Sequence, residues 1–377
     1  MIKKIVYIIN VDWYFKLHWL ERANYFKSLG YEIYIVSHFT DDVIKDYLCK
    51  KGFICFDITL SRSSINIFRE IKTIVDIGSL LKKIQPDLVH SITVKPNLYV
   101  GILNSLFFKK RIVYSVTGLG AIFSSRTIKY RILRCLVSVL YKFISKSYSR
   151  FIFENGDDYR LFNDIGILKN NNGRVIKGAG IDLKHFTSEP SKNNINILFA
   201  ARLLKDKGLE YLIFAKRKLL RKGVHFNLNV AGIIDEDSSS AIPIKQINSW
   251  VNTGDIVWLG NVQDMPKLIS ENDIVCLPTI YGEGVPRILI EAASCQRAIV
   301  TTDVPGCREI VTHGYNGLLA APKDVDSLAD CLFDLLSNPQ KTREFGIRGR
   351  QIVESEYAQQ IVFKDTDEVY RELFYIR

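Results

Sequence analysis

The sequence lacks any paired arrangement of cysteines. Its seven cysteines are scattered over 377 residues, with no C-x-x-C pair and no histidines at metal-ligand spacing. This excludes a disulfide framework or a structural zinc site as the basis of the fold. Unpaired thiols of this kind fit a reducing cytoplasm best.

Long apolar runs are also missing. No stretch of the sequence approaches the roughly 18 uncharged apolar residues that a membrane-spanning helix needs. The amino-terminal segment "MIKKIVYIINVD" has a short apolar run and no small-residue cleavage site, which predicts a first β-strand rather than a signal peptide. We therefore expect a cytoplasmic protein that is not integral to a membrane.

Acidic side chains are absent from residues 101–150, which carry ten basic ones. Residues 1–200 hold 30 Lys and Arg against 16 Asp and Glu, a balance of +14, whereas residues 201–377 hold 21 against 24, a balance of −3. Within the basic stretch, "IKYRILRCLVSVLYKFISK" interleaves cations with Leu, Val, Phe and Tyr. This pattern is typical of an interfacial helix on an anionic lipid surface.

Two interpretations of this basic stretch remain open. In one, the protein is peripheral on the inner face of the cytoplasmic membrane, where Lys129, Arg131, Arg134 and Lys142 contact anionic lipid. In the other, the stretch is an ordinary amphipathic helix packed on a sheet, with solvated charges. Nucleic acid is not an expected partner, because no helix-turn-helix, RNP-type aromatic run or zinc knuckle accompanies the charge.

Length and apolar content allow two hydrophobic cores, since 47% of the 377 residues are apolar and single cores rarely grow past about 250 to 300 residues. Short Ile- and Val-rich runs alternate with helix-period segments, from "KKIVYIINV" to "RFIFEN" and again from "INILFAAR" to "NGLLAAP". Near-continuous apolar strands separated by helices predict α/β domains with parallel sheets buried on both faces.

The strand pattern restarts after the polar segment "HFTSEPSKNN" at residues 185–194, which we interpret as a linker. We predict a doubly wound domain at 1–184, a second at 185–360, and a final helix at 361–377 that packs back on the first domain. Ligands of such sheets bind outside the carboxyl ends of the strands. The residues just after each strand, facing a cleft between the domains, are therefore the candidate site residues.

Two cations follow the strand "INILFAA". Arg202 lies at the end of the strand, and Lys207 lies at the start of the next helix beside Gly208. Together with helix amides, two such cations can bind an anion at the mouth of the sheet, and a diphosphate suits this arrangement. Taken alone, each of these residues is more typical of a surface charge, so the prediction depends on what lies opposite.

Two carboxylates follow the strand "DIVCLPT", in the segment "IYGEGVPRILIEAASC". Glu283 precedes Gly284, which permits close approach of the backbone, and Pro286 suits the first helical position. Glu291 lies about 7.5 Å along the helix axis from Pro286. A ligand of sugar-nucleotide length could contact Glu283 at one end and Glu291 at the other, with a vicinal diol at each carboxylate.

The same helix start offers the amides of Arg287 and Ile288 as donors for phosphate oxygens. The structural alternative is that Glu283 is a helix cap and Glu291 a surface residue. The apolar neighbours of Glu291 disfavour that alternative, because they make the helix apolar nearly all round.

Four segments of the second half resemble the retaining nucleotide-sugar glycosyltransferases of family GT4, which have the two-domain GT-B fold. They are "FAARLLKDKGLEYLI", "GEGVPRILIEAASC", "AIVTTDVPGCREIV" and "HGYNGLLAAPKDVDSLADCLFDLLSNP". The mark of this family is a Glu, seven residues and a second Glu, which matches Glu283 and Glu291. In the first half, "VHSITVKPNLYVGIL" and "YSVTGLGAIF" are similar to a bacterial branch that extends lipid-linked oligosaccharides for O-antigen or capsule.

The resemblance implies a retaining transferase that moves a hexose or N-acetylhexosamine from a UDP-linked donor to a lipid-linked saccharide, such as one on polyprenyl diphosphate. It implies that Arg202 and Lys207 hold the diphosphate and neutralise it as it leaves. Glu283 would bind the donor sugar near its anomeric carbon, and Glu291 the ribose hydroxyls. Members of this family generally need no metal, so neither a metal nor another cofactor is expected.

Two features depart from the family pattern in the first domain. The first strand is followed by "NVDWYF" rather than by a Gly-rich loop, so a donor contact by Asn10, Val11 or Asp12 remains open. The segment "SVTGLG" has no histidine and offers Thr117, Gly118 and Gly120 instead.

Three other residues of the first domain are candidates for acceptor or sugar contacts. His18 and His90 could approach the cleft, and a structural role is the alternative for both. Lys95 in "VKPN" is either a contact to an acceptor phosphate or a loop charge.

Two other functions remain open. A nucleotide-sugar epimerase of the same fold would bind the diphosphate with the same residues but would also need carboxylates that act as acid and base. A non-catalytic, membrane-associated adaptor on a transferase scaffold is disfavoured, because Arg202, Lys207, Glu283 and Glu291 are all present.

Overall fold

A computed structural model describes residues 3–60, 67–120, 123, 127–187, 196–235 and 238–375. The chain divides into two compact units. The first unit comprises Met1–Gly180 and Gln360–Arg377, and the second comprises Ile181–Gln359. Of the linker predicted at 185–194, residues 188–194 lie outside the described residues.

The first unit contains a seven-stranded sheet in the order β3-β2-β1-β4-β5-β6-β7. All neighbouring strands in it are parallel. Its strands are β1 (Lys4–Val11), β2 (Glu32–His38), β3 (Ile54–Asp57), β4 (Leu88–Ile92), β5 (Arg111–Val116), β6 (Ser149–Phe153) and β7 (Gly173–Val175). Its helices before the second unit are α1 (Asp12–His18), α2 (Leu20–Ser28), α3 (Asp42–Lys50), α4 (Ile67–Ile84), α5 (Val94–Leu103), α6 (Ile128–Ile144) and α7 (Gly156–Asp164). A π-helical turn, Asn104–Phe108, follows α5.

The second unit contains a six-stranded parallel sheet in the order β10-β9-β8-β11-β12-β13. Its strands are β8 (Asn196–Ala200), β9 (Asn227–Ala231), β10 (Val257–Gly260), β11 (Ile274–Leu277), β12 (Ala298–Thr302) and β13 (Gly317–Ala320). Its helices are α8 (Leu209–Arg221), α9 (Ile244–Asn252), α10 (Met265–Ser270), α11 (Arg287–Ser294), α12 (Cys307–Ile310), α13 (Val325–Ser337) and α14 (Pro339–Ile352). The last helix of the chain is α15 (Gln359–Tyr375).

The prediction of two doubly wound parallel sheets is confirmed. Every strand that the apolar runs predict is present, and two strands were missed. Strand β3 has only partly buried or exposed residues, and β7 is three residues long. Both lie at edges of the sheet, where a strand is covered less completely and its sequence is less apolar.

Apolar residues on both faces of the first sheet pack against helices. In β1, Val6 and Ile8 enter one core with α4, α5 and α6, whereas Ile5, Tyr7 and Ile9 enter another with α1 and α2. Successive side chains of a strand point to opposite faces, so a buried strand of this kind must be apolar throughout. Among the described residues, no helix is long and apolar enough to cross a membrane.

Helix α15 belongs to the core of the first unit. Val362, Val369, Tyr370 and Leu373 on its apolar face are buried with Tyr7 and its neighbours in β1. The first and last parts of the described chain therefore share one core.

A buried polar network joins α15 to the first sheet. The Tyr370 hydroxyl is hydrogen-bonded to Nδ1 of His90 and lies 3.1 Å from the Tyr7 hydroxyl. The Nε2 atom of His90 lies 2.7 Å from Oγ of Ser115 in β5. Burial, with a smaller contribution from the Arg22 cation, lowers the pKa of His90 well below its ordinary value of 6.5. His90 is therefore neutral in the folded protein at neutral pH.

We expect the first unit to lose stability as the pH falls below about 6.5. Below that pH, His90 takes up a proton in the unfolded chain but not in the folded one. This one group therefore lowers the free energy of unfolding by about 1.4 kcal/mol for each pH unit below 6.5. Above about 6.5 its contribution is fully present. Hydrogen exchange of peptides that cover residues 4–11 and 88–92, measured between pH 5.5 and 7.5, gives the opening free energy.

The His90→Asn variant should show a shallower slope over the same pH range. The His225→Asn variant, which changes an exposed histidine of the second unit, should keep the wild-type slope. An unchanged slope in His90→Asn would contradict this account of the network.

Candidate active site

The turn after β8 brings Lys207 to the loop that follows β11. A 3₁₀ turn, Lys205–Lys207, ends at Gly208, whose φ is +81°. A Cβ atom at Gly208 would collide with the carbonyl oxygen of Pro278, so only glycine allows this approach. The backbone amide of Ile280 donates to the carbonyl of Asp206 over 3.0 Å. The two loops are thus held together by their main chains.

Lys207 and Glu283 form an ion pair between these loops. The Nζ atom of Lys207 contacts Oε2 of Glu283, and the two side chains are 14% and 16% exposed. Strands β8 and β11 pair in parallel, and the strand order reverses between them, so the carboxyl ends of both strands meet at the switch point of the sheet. The structure therefore brings together two residues that the sequence predicted as separate contacts of one ligand.

A third loop fixes the main chain at Glu283. The amide of Glu283 donates to the carbonyl of Pro305, which follows β12, over 3.1 Å. Next to it, Gly306 has a φ of +84°, and a Cβ atom there would collide with the carbonyl of Gly284. Gly284 itself is buried, and because glycine has no side chain it can offer only main-chain atoms to the site.

Helix α11 begins one residue later than the sequence predicts. Pro286 is the N-cap residue rather than the first helical residue, and Arg287 begins the helix. The side chain of Ile288 is buried in the core, so any ligand contact by this residue must come from its amide. Helix geometry leaves the amides of the first turn directed out of the helix end.

Glu291 is a buried carboxylate with one close cation. The residue is 6% exposed, and Nε of Arg287 donates to its Oε1 over 2.7 Å. Burial raises the pKa of the Glu291 carboxyl, while the Arg287 cation and, more weakly, His185 oppose this rise. Glu291 is therefore not the surface residue of the structural alternative.

Arg202 also has a carboxylate partner. Its Nη1 atom contacts Oδ2 of Asp235, which lies four residues after β9. Burial, with Glu283 and Asp206 nearby, raises the pKa of Tyr281 to about 12, and the Arg202 cation opposes that rise. Arg202 and Glu283 therefore both lie close enough to Tyr281 to influence it electrostatically.

Two family descriptions match the chain. "Glycosyl transferases group 1" matches residues 181–352, and "Glycosyl transferase 4-like" matches residues 4–155. A relative from Campylobacter jejuni, N,N'-diacetylbacillosaminyl-diphospho-undecaprenol alpha-1,3-N-acetylgalactosaminyltransferase, is 32% identical over 298 residues, which are 75% of this chain and 76% of the relative. The chain belongs to the group 1 glycosyltransferases. It is therefore an enzyme that transfers a sugar.

Two further comparisons support this membership and the fold. The capsular polysaccharide biosynthesis glycosyltransferase CapM of Staphylococcus aureus is 24% identical over 323 residues, or 82% of this chain and 83% of that one. The crystal structure of Anabaena Alr3699/HepE in complex with UDP and glucose has a TM-score of 0.79 and 19% identity, and it covers 98% of this chain and 100% of that chain. The expected GT-B class is confirmed.

Sequence reasoning missed Asp235 and gave no role to Tyr281 and His185. Asp235, Glu236 and Asp237 form a D-x-D triplet after β9, which the expectation of a metal-free enzyme overlooked. Glu236 and Asp237 lie outside the described residues, and Asp235 pairs with Arg202. Among the described residues, no group of three or more His, Cys, Asp or Glu side chains could hold a metal ion.

In this glycosyltransferase the first-unit candidates have different environments. His90 is fully buried and hydrogen-bonded through both ring nitrogens, which is the structural role that the sequence left open. His18 ends α1 and lies 4.3 Å from the Tyr14 ring, measured between centroids. Asp12 is buried and accepts hydrogen bonds from the amide and hydroxyl of Thr40 at 3.0 and 2.9 Å, so it ties the start of α1 to the loop after β2.

Of the remaining first-unit candidates, Thr117, Gly118 and Lys95 lie just after the ends of the neighbouring strands β5 and β4. Thr117 and Gly118 follow β5 and are half-buried. Lys95, in the first turn of α5, forms an ion pair with Glu70 of α4 over 2.9 Å. On α6, Lys129, Arg131 and Lys142 are exposed, whereas Arg134 is half-buried.

Proposed function

We propose that this glycosyltransferase moves a hexose or N-acetylhexosamine from a UDP-linked donor to a polyprenyl-diphosphate-linked saccharide, with retention, in bacterial surface polysaccharide synthesis. The observation that carries the proposal is the ion pair of Lys207 and Glu283 at the switch point. One oxygen atom joins the sugar of such a donor to its diphosphate. A residue that holds the sugar and a residue that holds the phosphate must therefore be neighbours.

The relatives support the choice of acceptor and donor. The Campylobacter jejuni relative is named for transfer of N-acetylgalactosamine to a saccharide on diphospho-undecaprenol. The Anabaena protein of similar fold was crystallised with UDP and glucose. A lipid diphosphate acceptor and a uridine donor are the substrates that fit both names.

In the proposed mechanism, Lys207 bridges the two halves of the donor. An ammonium group has three N–H donors, so Lys207 can keep Glu283 and bind a β-phosphate oxygen at the same time. Glu283 then accepts hydrogen bonds from sugar hydroxyls next to the anomeric carbon. Arg202 binds the diphosphate from the β8 side of the switch point.

The reaction breaks the bond between the anomeric carbon and the β-phosphate oxygen, and the electron pair stays on that oxygen. The acceptor hydroxyl attacks from the same face, which retains the configuration, and its proton passes to the departing phosphate or to solvent. Cations that are already fixed next to the leaving phosphate stabilise the negative charge that develops on it in the transition state, and the site need not rearrange during the reaction. Arg202 and Lys207 supply those cations in this proposal, and no protein nucleophile is assigned.

Glu291 holds the other end of the donor in this proposal. A carboxylate accepts two hydrogen bonds from the vicinal diol of a ribose. Arg287 holds Glu291 in place and favours its ionised form, because it donates to one carboxylate oxygen over 2.7 Å. The first-turn amides of α11, those of Arg287 and Ile288, are then available to the diphosphate.

We also propose that the enzyme binds the cytoplasmic membrane through an exposed surface of the first unit, here named the α4–α6 surface. Ten apolar side chains of this surface are between 41% and 85% exposed. They are Phe68, Ile71 and Val75 on α4, Leu106 and Phe107 in the π-helical turn, and Ile128, Ile132, Leu136, Val139 and Phe143 on α6.

The five apolar residues of α6 are spaced by three or four positions, so they form one stripe on the side away from the core residues Val137, Tyr141 and Ile144. Lys129, Arg131 and Lys142 are exposed on the same helix. A helix with an apolar stripe and basic residues suits an anionic lipid surface. Membrane binding through this surface would bring the enzyme to a lipid-linked acceptor.

A substrate matrix tests the proposed reaction. Purified enzyme is incubated with UDP-, GDP- and dTDP-linked sugars and with polyprenyl-diphosphate-linked saccharides, and products are read by mass spectrometry and by NMR of the new linkage. We expect transfer of one UDP-linked sugar with an α linkage, and continued transfer in EDTA because fixed cations meet the leaving charge. An epimer formed without acceptor would favour the epimerase instead, and a β product would exclude retention.

The Lys207→Ala and Glu291→Gln variants should each lower kcat/KM for transfer by about a hundredfold. Each loses a charge-assisted contact of roughly 3 kcal/mol. Matched controls are Lys341→Ala and Glu344→Gln, which change exposed ion pairs of α14 and should keep wild-type rates. Wild-type turnover in either site variant would remove that residue from the site.

Charge reversal of Arg131 and Arg134 to Glu should weaken binding to vesicles that contain anionic lipid by roughly 30-fold, since each basic residue contributes about 1 kcal/mol. Sedimentation with vesicles of phosphatidylglycerol and phosphatidylcholine measures this. Reversal of Lys16 and Lys50, which are exposed on α1 and α3, serves as the control and should have little effect. If both double variants bind the vesicles equally well, the exposed face of α6 has no role in membrane binding and is an ordinary solvated helix face.

A further inference from the structure

Asp235 is a built-in partner of Arg202. The carboxylate is 11% exposed, and the guanidinium that it contacts is 32% exposed. Strands β8 and β9 are adjacent and parallel, so the segments after them leave the sheet side by side. Arg202 comes two residues after β8, and Asp235 comes four residues after β9.

Main-chain hydrogen bonds keep these two segments in register beyond the sheet. The amide of Ala201 donates to Ala231 over 3.1 Å, and the amide of Leu203 donates to Ile233 over 2.9 Å. Between them, Gly232 has a φ of +149°, and a Cβ atom there would collide with the carbonyl of Ala201. The contact between Arg202 and Asp235 therefore follows from the backbone.

The downstream part of the same loop is tied to the turn that carries Lys207. The amide of Lys205 donates to the carbonyl of Ser240 over 2.8 Å. The Ser240 hydroxyl donates to the Asp206 carboxylate over 2.6 Å. The segments on both sides of Asp235 are thus anchored to the β8 side of the site.

The carboxylates offset the charge of the cations in the ligand-free site. Arg202 pairs with Asp235, Lys207 with Glu283, and Arg287 with Glu291. Glu283 and Glu291 have sugar hydroxyls to bind once a donor enters. Asp235 is given no sugar hydroxyl to bind in this proposal, because its partner Arg202 lies at the phosphates. A diphosphate at Arg202 would meet the Asp235 carboxylate as a neighbouring like charge.

This like charge affects donor and product differently. In the donor, the sugar esterifies the terminal phosphate, which then carries one negative charge. After transfer the same phosphate is free, and near pH 8 it carries a second negative charge because its second pKa is about 6. Like charges near one group disfavour the more highly charged form. Repulsion by Asp235 is therefore larger for the nucleoside diphosphate than for the nucleotide sugar.

We propose that Asp235 is a positioning residue that acts through Arg202 to favour release of the nucleoside diphosphate after each transfer. The inference rests on the proposed donor site. In the empty enzyme, Asp235 contacts the Arg202 guanidinium. When the donor enters, Arg202 contacts both Asp235 and the diphosphate. When the product leaves, Arg202 again contacts Asp235 alone. It makes no bond to the reacting atoms.

The test compares Asp235→Asn with wild type at pH 8. Asparagine keeps the size of the side chain and a hydrogen-bond acceptor but removes the charge. Calorimetric titration in EDTA should show UDP binding about tenfold more tightly to the variant. The UDP-linked sugar chosen by the substrate matrix should gain about threefold or less. The Asp334→Asn variant, which changes the exposed pair with Lys341, should bind both ligands as wild type does.

Kinetics should separate release from chemistry. In Asp235→Asn we expect a lower inhibition constant for UDP and a lower steady-state kcat, while the single-turnover rate does not fall. In an Arg202→Ala background, the change at Asp235 should have no further effect on UDP binding, because the charge acts through Arg202. Asp235→Ala carries the same expectations, and thermal melting of both variants identifies any that fail to fold.

The outcomes distinguish this inference from the donor site on which it rests. If Arg202→Ala weakens UDP binding but the Asp235 variants bind UDP no more tightly than wild type, Asp235 has no role in release and the donor site stands. Equal tightening of UDP and the nucleotide sugar would also overturn the inference. If wild type binds no nucleoside diphosphate, or Arg202→Ala has no effect, the donor site itself fails. Weaker UDP binding seen only with Mg²⁺ would make Asp235 a metal ligand instead.

Discussion

The parallel pairing of β8 with β11 is the constraint on which the site depends. It puts two segments that are more than seventy residues apart in the sequence at one edge of a sheet, and it does so at the point where the strand order reverses. The ion pair of Lys207 and Glu283 forms there because both side chains leave the sheet in the same direction. Gly208 and Gly306 permit the close main-chain approach, since neither position has room for a side chain.

Much of the fold could be predicted from the sequence. Buried parallel strands are apolar on both faces, so runs such as "KKIVYIINV" and "INILFAAR" stand out against the helices. Strands β3 and β7 did not stand out, because edge strands are short or half-exposed. The burial of Glu291 was also foreseeable, because the helix around it is apolar on nearly every side.

Residues whose partners come from other strands could not be predicted in the same way. Asp235 meets Arg202 only because β9 lies next to β8 in the sheet, and no local pattern encodes strand order. His90 looked like a candidate ligand contact at a strand end, yet Tyr370, 280 residues later, occupies one of its ring nitrogens. The sequence identifies polar residues at the ends of strands, whereas tertiary packing decides which of them remain available to a ligand.

The participation of α15 in the first core has a consequence for the order of folding. The second unit is formed from one continuous segment, 181–359, so every part of its core has been synthesised before α15 emerges from the ribosome. The first unit must wait, because Tyr370 and Leu373 complete the packing around Tyr7. Domains generally fold as units during synthesis, and here the unit that begins first along the chain is the one that finishes last. A nascent chain that stops before residue 360 would leave the Tyr7 face of β1 covered by α1 and α2 alone.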